Sequence, residues 1–200
     1  MLNESWNQDP KRVLFTLSRY KFVAKMLAGK ERVLEVGCAD AFGTRLVQQT
    51  VKHVSAIDFD PVFIEDVKSR FNPNWPLEFF VHDILDGPVS DKFDAAYCLD
   101  VLEHIQPKDQ DRFLINTIAS LKKTGVLIVG MPSLDSQQYA SPQSKEGHVN
   151  CQTGDVLKKS MERFFENVFM FSMNDEVVHT GFFPMAHYLI AVSCGVKSRE

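Results

Sequence analysis

Gly37, Ala39, Ala41 and Gly43 stand at every second position in the second half of the segment Val33-Leu34-Glu35-Val36-Gly37-Cys38-Ala39-Asp40-Ala41-Phe42-Gly43-Thr44. Small residues at this spacing let a ligand approach the backbone closely. A turn between a parallel strand and its helix can also aim backbone N–H groups and a helix N-terminus at an anionic ligand group. Asp58 follows 21 residues after Gly37 and ends the apolar run of Ala56-Ile57-Asp58-Phe59-Asp60-Pro61. An acid at that distance beyond a small-residue turn is suited to accept both hydroxyls of a ribose, so the pair points to a nucleoside-containing cofactor. A small-residue turn alone often serves only the chain's own conformation; the acid is what gives it chemical meaning. Asp60, directly before Pro61, is assigned to cap the next helix, which leaves Asp58 for the ribose.

A dinucleotide turn asks for G-x-G-x-x-G so that a pyrophosphate can enter, and this turn reads G-C-A-D-A-F-G. The alanines therefore count against a nicotinamide-binding dehydrogenase. They cost little where φ is negative and are strained at a left-handed position.

The elements that must hold these residues follow from periodicity. Residues 9–28 place Val13, Leu14, Leu17, Tyr20, Val23, Ala24 and Leu27 at helical spacing, with Pro10 at a first turn and Gly29 at a stop. Apolar runs at 32–36, 53–57, 77–81, 93–99 and 126–131 alternate with helical stretches at 44–51, 61–71 and 109–121. Strands alternating with helices build βαβ units and a parallel sheet. Residues 132–152 lack periodicity and read as an extended loop or lid; 174–184 reads as a second long connection. Between them Thr153 caps a helix to about Arg163, and 167–173 and 187–193 read as two further strands. The predicted architecture is one α/β domain over residues 1–200, doubly wound and Rossmann-like, with a mostly parallel seven-stranded sheet, helices on both faces and a cofactor-binding core at 30–132.

The sequence resembles the class I S-adenosylmethionine-dependent methyltransferases through Glu35-Val-Gly37-Cys38, Ile57-Asp58, Val81-His82-Asp83-Ile84 and Phe93-Asp94-Ala-Ala-Tyr-Cys-Leu-Asp100-Val-Leu-Glu103-His104-Ile105. The resemblance implies S-adenosylmethionine as cofactor. It places the methionine portion at the turn of Glu35, Gly37, Cys38 and Ala39, the ribose at Asp58, the adenine amino group at Asp83 beside Ile84, and Phe59 against the adenine ring. Leu99 to His104 would pass near the sulfonium. Glycine is common in that family where Ala39 and Ala41 stand here.

Methyl transfer from a sulfonium is an in-line displacement governed by orientation, and a base is optional. For a hydroxyl acceptor, His104 and His148 are the candidate catalytic residues, since a neutral imidazole takes a proton near neutral pH. Asp175, Glu176 and His179 offer oxygen and nitrogen ligands, but a solvated loop accounts for them and no metal ligand set is assigned.

Composition bounds the partners. With 22 basic and 26 acidic residues the formal net charge is −4, no broad field to attract phosphates, so a nucleic-acid partner is not favoured. No Asn/Asp-Pro-Pro-Tyr/Phe motif of amino-methylating nucleic-acid enzymes follows the fourth run, where Leu99-Asp100-Val101-Leu102 stands instead. Cys38, Cys98, Cys151 and Cys194 form no C-x-x-C pair and read as free thiols of a cytoplasmic protein. The charged first thirty residues hold no apolar run that spans a membrane. A methyltransferase acting on a small molecule, with a sugar or glycan-precursor hydroxyl as acceptor, is the leading expectation. A silent cofactor-binding subunit, or an enzyme acting on protein or tRNA, is the alternative; monomer and homodimer fit equally.

Overall fold

The computed structural model describes residues 5–7 and 9–198; residues 1–4, 8 and 199–200 of the predicted domain lie outside the described residues. The first long helix, α1, runs Pro10–Met26, with the Asp9 carboxylate accepting the Arg12 N–H at 3.4 Å. Strand β1 (Arg32–Val36) leads into the short helix α2 (Thr44–Gln48), then β2 (His53–Asp58), α3 (Pro61–Ser69) and β3 (Glu78–Val81). Asp60 does cap α3, accepting the Val62 N–H at 2.8 Å. Next come β4 (Phe93–Leu99), a 3-10 turn at Leu102–His104, α4 (Gln110–Ala119) and β5 (Leu121–Pro132).

With β6 (Phe165–Asn174), β7 (Val177–His179) and β8 (Tyr188–Val196), the strands join one eight-stranded sheet in the order β3-β2-β1-β4-β5-β8-β6-β7. The first five strands are parallel; helical crossovers lead from β1 to β2, β2 to β3 and β4 to β5, and a non-helical crossover over 82–92 leads from β3 to β4. The strand order reverses between β1 and β4, and that reversal opens a crevice beyond their C-terminal ends where ligands bind in doubly wound sheets. The side chains of the central strands alternate between two cores. Leu34, Ala96 and Cys98 pack with Phe113 of α4, whereas Val33, Ala95 and Tyr97 pack with Tyr20 and Val23 of α1 and Val47 of α2.

The C-terminal third departs from expectation in three ways. The segment taken for an extended lid is largely helical: a 3-10 stretch at Leu134–Tyr139, then α5 at Pro142–Gly147. Serine caps start both, Ser133 accepting the Asp135 N–H at 3.2 Å and Ser141 the Ser144 N–H at 3.2 Å. These helices are too short to show a period. After α6 (Gly154–Glu162), β6 (Phe165–Asn174) turns through Asp175 and Glu176 into an unexpected strand, β7 (Val177–His179), making eight strands instead of seven. Asp175 takes φ +49°, a left-handed conformation that Asp tolerates better than most residues. The closing strand β8 (Tyr188–Val196) pairs antiparallel with both β5 and β6. Finally, β5 begins well before Val126, because Leu121 pairs with Phe93 and a bulge carries the chain on to the Ala95–Val126 pair.

Gly130 lies in β5 where a Cβ would stand 2.6 Å from Leu99 Cδ2 and 2.8 Å from the Tyr188 hydroxyl. Gly130→Ala is therefore expected to lower the unfolding free energy by about 1–3 kcal/mol, read from urea titration.

Candidate functional site

The turn after β1 is built by bonds to its neighbour β2. Gly37 and Cys38 donate N–H bonds to the Ile57 carbonyl at 2.8 and 3.0 Å, and Ala39 donates to Asp58 Oδ2 at 2.9 Å. The other oxygen, Asp58 Oδ1, accepts the Asp60 N–H at 3.0 Å. The turn amides are thus consumed inside the protein and do not face a ligand, contrary to the expectation that they would hold an anionic group. Gly37 sits at φ +78°, and a Cβ there would lie 2.5 Å from Val101 Cγ2. Ala39 and Ala41 sit at φ +45° and +52°, the left-handed positions where alanine is strained.

Two adjoining cavities open at the strand reversal and share Gly37, Ala39, Asp100 and His104. The first, about 510 Å³, is lined by Asp58, Phe59, Asp83, Ile84, Val101 and Phe113. Asp83 Oδ1 accepts the Leu85 N–H at 2.8 Å, which holds the carboxylate in place with Oδ2 available. Phe59 is 70% exposed, an apolar ring left out of the core at the cavity rim. The second cavity, about 500 Å³, is polar and takes in Cys38, Leu99, Arg12, Arg19, Gln137 and His148. Every cofactor residue expected from sequence lines one cavity or the other except Glu35.

Glu35 is buried beneath the turn and accepts the Thr44 hydroxyl at 2.5 Å, tying the end of β1 to the start of α2. Burial raises its carboxyl to about 7, with the Thr44, Tyr97 and Tyr20 hydroxyls holding it down in part. Its place is structural support under the turn.

Sequence reasoning quoted Asp100 and Glu103 only as part of a motif, and did not single out Arg19. Arg19 Nη1 donates to both Asp100 oxygens, at 2.8 and 2.7 Å, while its guanidinium lies 3.8 Å above the Tyr188 ring. Burial alone would lower the Arg19 pKa; the Asp100 carboxylate outweighs that and raises it. Asp100 itself takes φ +57° immediately after β4, turning the chain into the 3-10 segment. The Asp at the end of a strand and the Arg in the opening helix are 81 residues apart, and only folding reveals the pair.

His104 and His148, separate candidates in the sequence, are brought together with ring centroids 5.3 Å apart. The link is main-chain: Val149 and Asn150 donate N–H bonds to the Glu103 carbonyl at 2.8 and 3.0 Å, which lays the end of α5 against the 3-10 turn. His104 Nδ1 bonds the Gly147 carbonyl at 2.8 Å, and His148 Nδ1 bonds Gln137 Oε1 at 2.9 Å. Burial, then the neighbouring His104, lowers the His148 pKa, so its ring is neutral at neutral pH. The Asp175, Glu176 and His179 grouping forms a hairpin and an adjoining turn: the Gly181 N–H bonds His179 Nδ1 at 3.0 Å, and none of the three lines either cavity.

The fold, with its crevice at the strand reversal, is shared with solved S-adenosylmethionine-dependent methyltransferases. Residues 33–125 match the family described as the methyltransferase domain. A probable S-adenosylmethionine-dependent methyltransferase of Mycobacterium tuberculosis (strain CDC 1551 / Oshkosh) is 29% identical over 119 residues, 58% of this chain and 42% of that protein. The mitochondrial ubiquinone biosynthesis O-methyltransferase of Schizosaccharomyces pombe is 28% identical over 104 residues, 50% of this chain and 37% of that protein. The match thus spans less than half the length of either relative. The N-methyltransferase NodS from Bradyrhizobium japonicum WM9, solved with S-adenosyl-L-homocysteine, shares the fold at TM-score 0.68 and 18% identity, over 90% of this chain and 85% of that one. No helix among the described residues is long and apolar enough to cross a membrane.

Two outcomes follow from the turn. Folding raises the Glu35 pKa from 4.5 to about 7, so between these values the folded chain keeps a proton that the unfolded chain has lost, and stability falls as pH rises through that window. Thermal melts across pH 5–8 should show a decline in the wild type that is shallower in Glu35→Gln. Ala39→Gly and Ala41→Gly should each raise the unfolding free energy by up to about 1 kcal/mol, since release of left-handed strain exceeds the added unfolded-state entropy; equilibrium denaturation measures it.

Proposed function

We propose that this chain is an S-adenosylmethionine-dependent methyltransferase acting on a small hydroxylated molecule, with a sugar or glycan-precursor hydroxyl as acceptor. The observation that carries the reading is the meeting of the two cavities at Gly37, Ala39, Asp100 and His104, one side suited to a nucleoside and the other to a polar acceptor.

The residues fit the cofactor. Each Asp58 oxygen accepts one backbone N–H and retains a lone pair for a ribose hydroxyl. Asp83 keeps one oxygen for an exocyclic amine, and Phe59 and Ile84 supply apolar surface for a planar base. When bound, S-adenosylmethionine supplies an activated methyl group with a good leaving group already in place. The chain then has to orient the acceptor and exclude water, which a chamber of about 500 Å³ can do for a small molecule.

The acceptor side supports an oxygen nucleophile. Arg12, Ser136, Gln137, Tyr139, Ser144 and His187 line it, offering donors and acceptors suited to a polyhydroxylated ligand. His104 and His148 stand at the junction with the cofactor cavity, where an imidazole can hold or receive the acceptor's proton. The O-methyltransferase among the relatives is consistent with this acceptor atom.

Calorimetric titration with S-adenosylhomocysteine and with NAD tests the cofactor assignment. S-adenosylhomocysteine should bind and NAD should not. Asp58→Ala should weaken the former by roughly 10–100-fold, the loss expected for hydrogen bonds to a charged group. Unchanged affinity in Asp58→Ala removes the ribose assignment.

A further inference from the structure

Glu103 is a buried acid in the crevice. It is 1% exposed, and neither carboxylate oxygen has a hydrogen-bond partner in another residue. A buried carboxylate normally obtains such partners, since an unpaired buried polar group loses its hydration with nothing in return. The nearby cation, Arg19, is committed to Asp100 through both carboxylate oxygens. Nothing in the described residues explains why the fold retains Glu103 here without a partner.

The surroundings supply an explanation. One ligand atom each from Glu103, His104 and His148 lies within 4.8 Å of the others. Both imidazoles are oriented from behind, His104 Nδ1 against the Gly147 carbonyl and His148 Nδ1 against Gln137 Oε1. Because both partners accept, each Nδ1 carries the proton and each Nε2 keeps a free lone pair. Metal-binding histidines are commonly held this way, the far ring nitrogen donating to a carbonyl or carboxylate that fixes the ring's orientation. The backbone is prepared too: Val149 and Asn150 bond the Glu103 carbonyl, and Asn150 Nδ2 donates to Gln110 Oε1 at 2.8 Å, fixing the segment that carries His148 relative to the one that carries Glu103 and His104.

We propose that Glu103, His104 and His148 bind a divalent transition-metal cation at the junction of the two cavities. Two imidazoles and one carboxylate suit the zinc, cobalt or manganese class better than magnesium or calcium, which favour all-oxygen sets. Ligands about 2.0–2.2 Å from a tetrahedral ion stand roughly 3.4 Å apart, so the set closes on the ion by small side-chain rotations. Three protein ligands leave a coordination position open, and all three residues line the acceptor chamber, so that position faces it and can take water or an acceptor oxygen. With the ion bound the Nε2 lone pairs are committed, and the histidines serve the acceptor through the metal and not as free bases. The metal site stands on these contacts and does not depend on the identity of the organic cofactor.

The test is calorimetric titration of the whole chain, freed of metal by chelator, with CoCl2 and separately with MgCl2, supported by the visible absorption of bound cobalt. Wild type should bind one Co2+ and show a ligand-field band, with no comparable Mg2+ binding. Glu103→Gln and His148→Ala should each weaken Co2+ binding by about tenfold or more, whereas His179→Ala, outside the crevice, should match the wild type. Absence of one-to-one Co2+ binding, equal binding of Mg2+, or wild-type affinity in His148→Ala each overturns the proposal. Should Glu103→Gln fail to fold by circular dichroism, His148→Ala decides the matter alone. S-adenosylhomocysteine titration of the same samples reports on the cofactor cavity separately, so either assignment can fail while the other stands.

Discussion

The Asp58 carboxylate ties the ends of two adjacent parallel strands together, and the geometry of the crevice depends on it. One oxygen holds the Ala39 amide from the turn after β1 and the other holds the Asp60 amide at the start of the next helix. Buried anions persist only when donors surround them, and here both donors are backbone groups that the fold itself positions. The bond draws the β1 turn back toward β2. That gives Ala39 and Ala41 their left-handed dihedrals and leaves Gly37 as the point of closest approach to Val101. Alanine is tolerated because the strain, about 1–2 kcal/mol per residue, is offset by the bonds the turn makes.

A second tie works across the crevice. Arg19 reaches from α1 to Asp100 at the end of β4 and stacks on Tyr188 of β8, so the opening helix, the central sheet and the antiparallel closing strand meet at one guanidinium. A planar, delocalised cation suits such a place because it can pair with a carboxylate in its plane and with an aromatic ring on its face.

These constraints divide the crevice by chemistry. On the β2 and β3 side, side chains are apolar apart from His82 and two carboxylates with lone pairs to spare, a surface suited to a nucleoside. On the α1 and α5 side they are polar and partly cationic. The helices at 134–147, where periodicity indicated only a loop, form the wall of that second half and deliver His148 to His104.

The parallel core was legible in the sequence because each element there carries its own local signal. β-branched and leucine runs of five to seven residues, Asp9, Asp60 and Thr153 before helices, and glycine at the β1 turn all act through near neighbours, and the elements at 32–36 and 93–99 match residue for residue. The spacing of Gly37 and Asp58 likewise survives folding, since the strand, turn, helix and strand between them have nearly invariant dimensions. What the tertiary structure alone decided involves partners far apart in sequence or elements too short for a period. The 3-10 and α5 helices and the β7 hairpin strand fall in the second group. The Arg19–Asp100 pair, the burial that makes Glu35 a support under the turn, and the convergence of Glu103, His104 and His148 fall in the first. No local pattern records which loop will lie against which strand end. That is set by where the sheet reverses its order and by which backbone amides the Glu103 carbonyl accepts.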